Sequence, residues 1–131
     1  WIGIIDPAAG TVECIDAGHG YAFMVDHEGS GRQLECEGGV PLGVDPRIAY
    51  RASTVPIAAG ERLVVVSDGV IEQPAPSGEL FNDHRLLAAL DGSTDAQADI
   101  ARTLVALGEY ASAEEFADDV TVASIALDDT A

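Results

Sequence analysis

The first half of the chain alternates short apolar segments with turn residues, a pattern that predicts β-strands rather than helices. The predicted strand segments are residues 1–6, 11–16, 21–26, 33–38 and 49–58. The last of these contains Pro56, which cannot donate a hydrogen bond to a neighbouring strand and therefore indicates an edge strand. Residues 38–46 hold three glycines and two prolines, which predicts a kinked loop.

Within residues 11–16 the polar and apolar positions alternate, but apolar side chains occur on both faces. The pattern therefore does not decide which face of this strand is buried. The glycines on either side of His19 then join this segment to residues 21–26. Such a connection is either a hairpin turn or a tight break between two strands.

The most hydrophobic strand in the sequence covers residues 62–67 and runs directly into Asp68 and Gly69. We expect a loop from there to residue 81, then a helix that starts near Asn82 or Asp83 and ends at Gly92.

A second helix is expected over residues 93–111, where Ile100, Leu104 and Leu107 recur at helical spacing after a Ser93 or Thr94 cap. A final strand covers residues 120–127. Strands followed by helices and one more strand predict the α+β class.

The composition says more about which binding partners are excluded than about the fold. The 131 residues suffice for one domain with a core, and the net charge of -17 argues against nucleic acid or an anionic membrane as partner. The apolar runs are too short to span a membrane. Cys14 and Cys36 form neither a disulfide framework nor a zinc motif, and we expect them to be reduced core residues of a cytosolic protein.

Three carboxylates stand at the ends of predicted strands. Asp68 follows the strongest strand, Gly69 leaves room for a close approach, and Asp118 and Asp119 precede the final strand. If the two strands are neighbours in one sheet, these acids converge on one end of it and offer the oxygen ligands that hard divalent cations prefer. The alternative from spacing alone is ordinary turn and loop chemistry.

Two further residues have candidate chemistry. His19 lies between glycines and is either a base or metal ligand, or a residue that caps its turn by hydrogen bonding. Ser67 lacks the preceding glycine of a nucleophile elbow and has no activating base nearby in the sequence, which argues against a serine nucleophile.

Five short motifs occur in order along the chain. They are Ala-Gly-His at residues 17–19, Gly-Val-Pro-Leu-Gly at 39–43, Ser-Asp-Gly-Val-Ile-Glu at 67–72, Gly-Glu-Leu-Phe at 78–81 and Asp-Asp-Val-Thr at 118–121. This series resembles the C-terminal portion of the PPM-type metal-dependent serine/threonine phosphatases, in their bacterial SpoIIE/RsbU branch.

The resemblance implies that residues 1–131 form part of an α-β-β-α sandwich with mostly antiparallel sheets, from which the upstream part of the domain is absent. It also implies a dinuclear Mn²⁺ or Mg²⁺ site with Asp68 and Asp118 as ligands, and Asp119 ranked behind them. His19 falls where the wider family has an aspartate, and we expect a structural role for it. No covalent catalytic residue is implied.

The reaction implied is hydrolysis of phosphoserine or phosphothreonine on a protein, by water that two cations activate. The family's substrates are phosphorylated anti-anti-sigma (STAS) proteins of bacterial partner-switching systems, and the resemblance leaves room for a homodimer. Two upstream metal motifs of the family are missing from this sequence, so we expect this chain alone to be inactive. The alternatives are a non-catalytic signalling module and an acidic α+β domain whose carboxylates only solubilise its surface.

Overall fold

The computed structural model describes residues 1–112 and 115–127, which form a mixed α+β fold with two antiparallel sheets. One sheet has the order β1-β2-β5, and the other has the order β4-β3-β6-β7. The strands are β1 Ile2–Asp6, β2 Thr11–Ile15, β3 Ala22–Val25, β4 Gly31–Gln33, β5 Ser53–Pro56, β6 Arg62–Val66 and β7 Val122–Ala126. The helices are α1 Asp68–Ile71, α2 Asn82–Leu90 and α3 Ala96–Ala111. The predicted fold class is confirmed, and β5 with its Pro56 lies at a sheet edge, as predicted.

Strand β6 reads as a continuous apolar run because both of its faces are covered. It pairs with β3 on one side and β7 on the other. Val64 and Val66 pack into the core that the helices close, whereas Leu63 packs into the core shared with the three-stranded sheet. A strand in this position is held firmly, so the residues at its two ends are placed with little freedom.

Helices α2 and α3 contact each other, and their apolar faces close the core on the helix side of the four-stranded sheet. Leu86, Leu90 and Leu107 are fully buried there, while Leu104 remains 41% exposed. Helical spacing therefore identified the inward stripe of α3 only in part. None of the helices among the described residues is long and apolar enough to cross a membrane.

Several predicted boundaries are wrong. The stretch after Gly69 starts with the short helix α1, and the strand expected over residues 33–38 lies instead at Gly31–Gln33. Helix α3 is capped by Asp95, whose carboxylate accepts a hydrogen bond from Ala98 N at 2.8 Å, so neither Ser93 nor Thr94 is the cap. Phe81 precedes α2 without any side-chain cap, so Asn82 and Asp83 are not caps either. Local cap chemistry fits several neighbouring residues equally, and tertiary packing selects among them.

The connection between β2 and β3 is a break rather than a hairpin, because the two strands belong to different sheets. The carboxylate of Asp16 accepts hydrogen bonds from His19 N at 2.7 Å and Gly20 N at 2.8 Å, which fixes the turn. The face of β2 that carries Cys14 is the buried one. Burial and the neighbouring Cys36 raise the pKa of the Cys14 thiol to about 12, and both cysteines are free thiols.

Candidate metal centre

Asp68 and Asp118 meet where β6 ends and the chain leads into β7, because of how these two strands pair. The strands are antiparallel, with Val66 opposite Val122, so the end of β6 lies beside the start of β7. The two aspartates line one open cleft of about 280 Å³, together with Gly69, Glu72, Gln73, Pro74 and Ala117. The convergence expected from the sequence therefore occurs for this pair.

Gly69 allows this approach because a side chain would not fit. A Cβ placed on Gly69 would lie 2.3 Å from the Asp119 carbonyl oxygen and 2.9 Å from its carbonyl carbon. Both atoms belong to the backbone and cannot move aside as a flexible side chain would. The glycine after Asp68 is thus required for α1 to lie directly against the segment that carries Asp118.

Asp119 points to a different part of the surface. It does not line the cleft of Asp68; with Asp118 it lines an adjacent open groove of about 650 Å³ that includes Leu104 and Phe116. Its carbonyl oxygen accepts a hydrogen bond from Ser67 Oγ at 3.0 Å. The structure brings Asp118 to Asp68 and leaves Asp119 beside them, and the metal role of all three stays a prediction.

Glu72 is a member of this cleft that belongs to the motif at residues 67–72 but was not predicted as a ligand. It follows α1 and stands one helical turn after Asp68, so the two carboxylates open onto the same cleft. The Tyr21 hydroxyl donates a hydrogen bond to Glu72 Oε1 at 3.1 Å, and burial together with this contact raises the pKa of Tyr21. The spacing of Asp68 and Glu72 would have revealed the pair had the helix been predicted.

His19 and Ser67 have contacts that explain them structurally. His19 Nδ1 accepts a hydrogen bond from Tyr21 N at 3.3 Å, and the two rings pack edge to face with centroids 5.5 Å apart. Ser67 Oγ also accepts a hydrogen bond from Thr121 N at 3.0 Å, in addition to its contact with Asp119. The hydroxyl therefore ties β6 to β7 and is not poised as a nucleophile.

The chemistry of the cleft fits one side of a divalent-cation site. Asp68, Glu72 and Asp118 offer carboxylate oxygens, the ligand type that Mg²⁺ and Mn²⁺ prefer, and all three are exposed. The salt bridges found among the described residues involve other acids. Over residues 1–112 and 115–127, however, no three acidic, histidine or cysteine side chains come close enough to hold a metal ion by themselves. The residues present thus fit a part of such a site.

Comparisons with known proteins agree with this fold. The family model described as Stage II sporulation protein E (SpoIIE) matches residues 1–128. Protein IcfG of Synechocystis sp. is 30% identical over 100 residues, which are 76% of this chain and 16% of that protein.

Solved structures share the fold, and two of them illustrate the likeness. The manganese-presoaked phosphatase domain of SpoIIE from Bacillus subtilis superposes with a TM-score of 0.74 at 17% identity, over 99% of this chain and 56% of that one. The RsbU and RsbW domains of Rv1364c from Mycobacterium tuberculosis give a TM-score of 0.62 at 23% identity, over 88% of this chain and 32% of that one. The chain therefore spans only about half, or less, of the length of these proteins.

The two antiparallel sheets, with helices packed on one of them, match the PP2C-type phosphatase fold. The chain belongs to the SpoIIE family.

Proposed function

We propose that this chain is the C-terminal portion of a metal-dependent protein phosphatase domain that hydrolyses phosphoserine or phosphothreonine on a protein substrate. The observation that carries the proposal is the meeting of Asp68 and Asp118 in one cleft of a SpoIIE-family fold. Asp68 and Asp118 would hold Mn²⁺ or Mg²⁺, Glu72 lies within reach of the same cleft, and Asp119 ranks behind them. The remaining ligands would come from outside this chain.

When bound, such cations lower the pKa of water and offset the charge that develops on the phosphoryl group. The chain's own residues would position the carboxylates that hold the cations. The rigid end of β6 and the close approach at Gly69 set the distance between Asp68 and Asp118. The Tyr21 hydroxyl restrains Glu72. Ser67 is committed to Asp119 and Thr121, which agrees with a reaction that has no covalent serine intermediate.

The substrate proposed is a phosphorylated STAS protein in a bacterial partner-switching system, in the cytoplasm, with a homodimer as an allowed assembly. The support is family membership, together with the net charge of -17 of the chain, which is unsuited to nucleic acid. A non-catalytic signalling module is the second candidate, favoured by the incomplete set of ligands in the described residues.

The proposal is tested in the full-length protein that contains this sequence, with a phosphoserine STAS protein as substrate and a titration of Mn²⁺. Asp68→Asn should lower the rate by more than about 100-fold, because even the outer partners of metal ligands typically contribute 10–100-fold. Asp91→Asn removes an exposed carboxylate at the end of α2 and should leave the rate unchanged. Full activity in Asp68→Asn would contradict the proposal, and absence of any Mn²⁺-dependent turnover would favour the signalling module.

A further inference from the structure

The segment that carries Asp118 is held by side chains from both ends of α1. Before the helix, Ser67 Oγ donates to Asp119 O and accepts from Thr121 N, each at 3.0 Å. After the helix, Gln73 Oε1 accepts from Ala117 N at 3.0 Å. Asp118 lies between these two anchoring points, opposite Asp68.

Gln73 is suited to this role because its side-chain amide is buried and both its oxygen and its nitrogen are hydrogen-bonded. The residue is only 3% exposed. Its Oε1 binds the Ala117 amide while its Nε2 donates to Pro74 O at 3.0 Å, so reversing the amide would lose both bonds. Its own carbonyl oxygen accepts from Phe81 N at 2.9 Å, and Phe81 is a fully buried core residue. Gln73 therefore transmits the rigidity of the core to the Asp118 segment.

The two anchors differ in how much else supports them. On the Ser67 side, the backbone also contributes, since Ser67 N donates to Thr121 O at 3.0 Å where β6 and β7 pair. On the other side, residues 115–119 are exposed, and among the described residues Gln73 provides the one side-chain hydrogen bond to the backbone of residues 115–117. An exposed segment with few contacts opens easily, so the loss of Gln73 should free Asp118 more than the loss of Ser67.

We propose that Gln73, assisted by Ser67, is a positioning residue that sets Asp118 for cation binding. The inference rests on the proposed function, since it assumes that Asp118 is a ligand. Ligands must be held within about 0.5 Å of their productive geometry, and a carboxylate on a loosened loop loses affinity for the ion. Gln73 itself need not touch the ion or the substrate.

The test measures Mn²⁺ affinity in the full-length protein without substrate, from the electron paramagnetic resonance signal of free Mn²⁺. Gln73→Met keeps the side-chain length but cannot accept from Ala117 N, and should weaken Mn²⁺ binding by about 10-fold. Ser67→Ala should weaken binding by about threefold, since the backbone pairing remains.

Ser93→Ala is the matched control, because it removes a buried hydroxyl at the opposite end of β6. It should lower the melting temperature without changing Mn²⁺ affinity. If Gln73→Met fails to fold, Ser67→Ala decides. Natural affinity in both Gln73→Met and Ser67→Ala, alongside loss of affinity in Asp68→Asn, would overturn the positioning role alone. Equal affinity in Asp68→Asn and the natural protein would overturn the proposed function as well.

Discussion

The acidic groups at the two ends of β6 differ in burial and in pairing: those at one end are buried and paired, and those at the other are exposed. At its start, Arg62 and Asp99 form a salt bridge at 2.7 Å with side chains that are 3% and 0% exposed. At its far end, Asp68 and Asp118 are exposed and share a cleft without any cation from the protein itself. The same strand thus joins a closed polar network to an open set of carboxylates.

The difference between the ends is a difference in free acceptor capacity. Both oxygens of Asp99 are occupied, since Oδ2 accepts from Arg62 and from Ser124 at 2.7 Å, and Oδ1 accepts from the Ser93 hydroxyl and Arg62. The Asp118 carboxylate accepts from the amide of the next residue at 2.7 Å. Net acidity alone therefore does not reveal a metal site; what matters is which carboxylates keep oxygens available for an added ion.

Breaking the closed end should have the largest effect on stability. Asp99→Ala leaves the Arg62 guanidinium buried without its partner, and we expect the free energy of unfolding to fall by about 3–5 kcal/mol. The measurement is native-state hydrogen exchange of the β6 amides over a urea series, which reports on this domain within the full-length protein.

The double variant Arg62→Met, Asp99→Leu supplies the control, because it removes both charges from the interior. It should be more stable than Asp99→Ala, since no unpaired charge remains. A single variant as stable as the natural protein would show that the network at the start of β6 contributes no net stability.

Neutralising the open end should leave stability almost unchanged. Asp118→Asn removes an exposed carboxylate with no salt-bridge partner among the described residues, and should alter the free energy of unfolding by less than about 0.5 kcal/mol without metal. Mn²⁺ at 100 times its Kd should then stabilise the natural protein by about 2.7 kcal/mol and the variant much less. The same urea series with and without Mn²⁺ measures both effects. Equal Mn²⁺ stabilisation of both proteins would exclude Asp118 as a ligand.

The sequence predicted the open end better than the closed one. The runs that became β6 and β7 were evident from their hydrophobicity, and the motifs around Asp68 and Asp118 were short and local. The sequence left the pairing of these two segments as a condition, and the structure shows that they pair antiparallel. Glu72 and Gln73 were missed because α1 has only four residues, too few for helical periodicity to appear.

The closed end could not be predicted, because no local sequence motif marks its members. Arg62 and Asp99 are separated by 37 positions, and each resembles an ordinary charged surface residue when considered alone. Only the docking of α3 on β7 buries them together. Cap selection failed for a related reason, since Ser93 was a plausible cap until its hydroxyl was committed to Arg62 and Asp99.

The smallest predicted effect concerns Thr103, which lies one turn after Asp99 on the buried face of α3. Its Oγ1 is buried and has no hydrogen-bond partner among residues 1–112 and 115–127. The hydroxyls of Ser93 and Ser124 donate hydrogen bonds to Asp99, whereas the Thr103 hydroxyl makes no such bond and is also shielded from water. Thr103→Val keeps the shape and removes the hydroxyl, so we expect a gain of up to about 1 kcal/mol.

Thermal unfolding followed by circular dichroism measures this change, and a gain of that size should raise the melting temperature by a few degrees. Thr103→Ala is the control, because it removes the same hydroxyl but also a methyl group, and the cavity left behind should make it less stable than Thr103→Val. If Thr103→Val is itself destabilised by more than about 1 kcal/mol, the hydroxyl is satisfied in solution. The buried polar network at the start of β6 would then extend along α3 beyond Asp99. The two ends of β6 would differ in the number of polar groups they contain as well as in free acceptor oxygens.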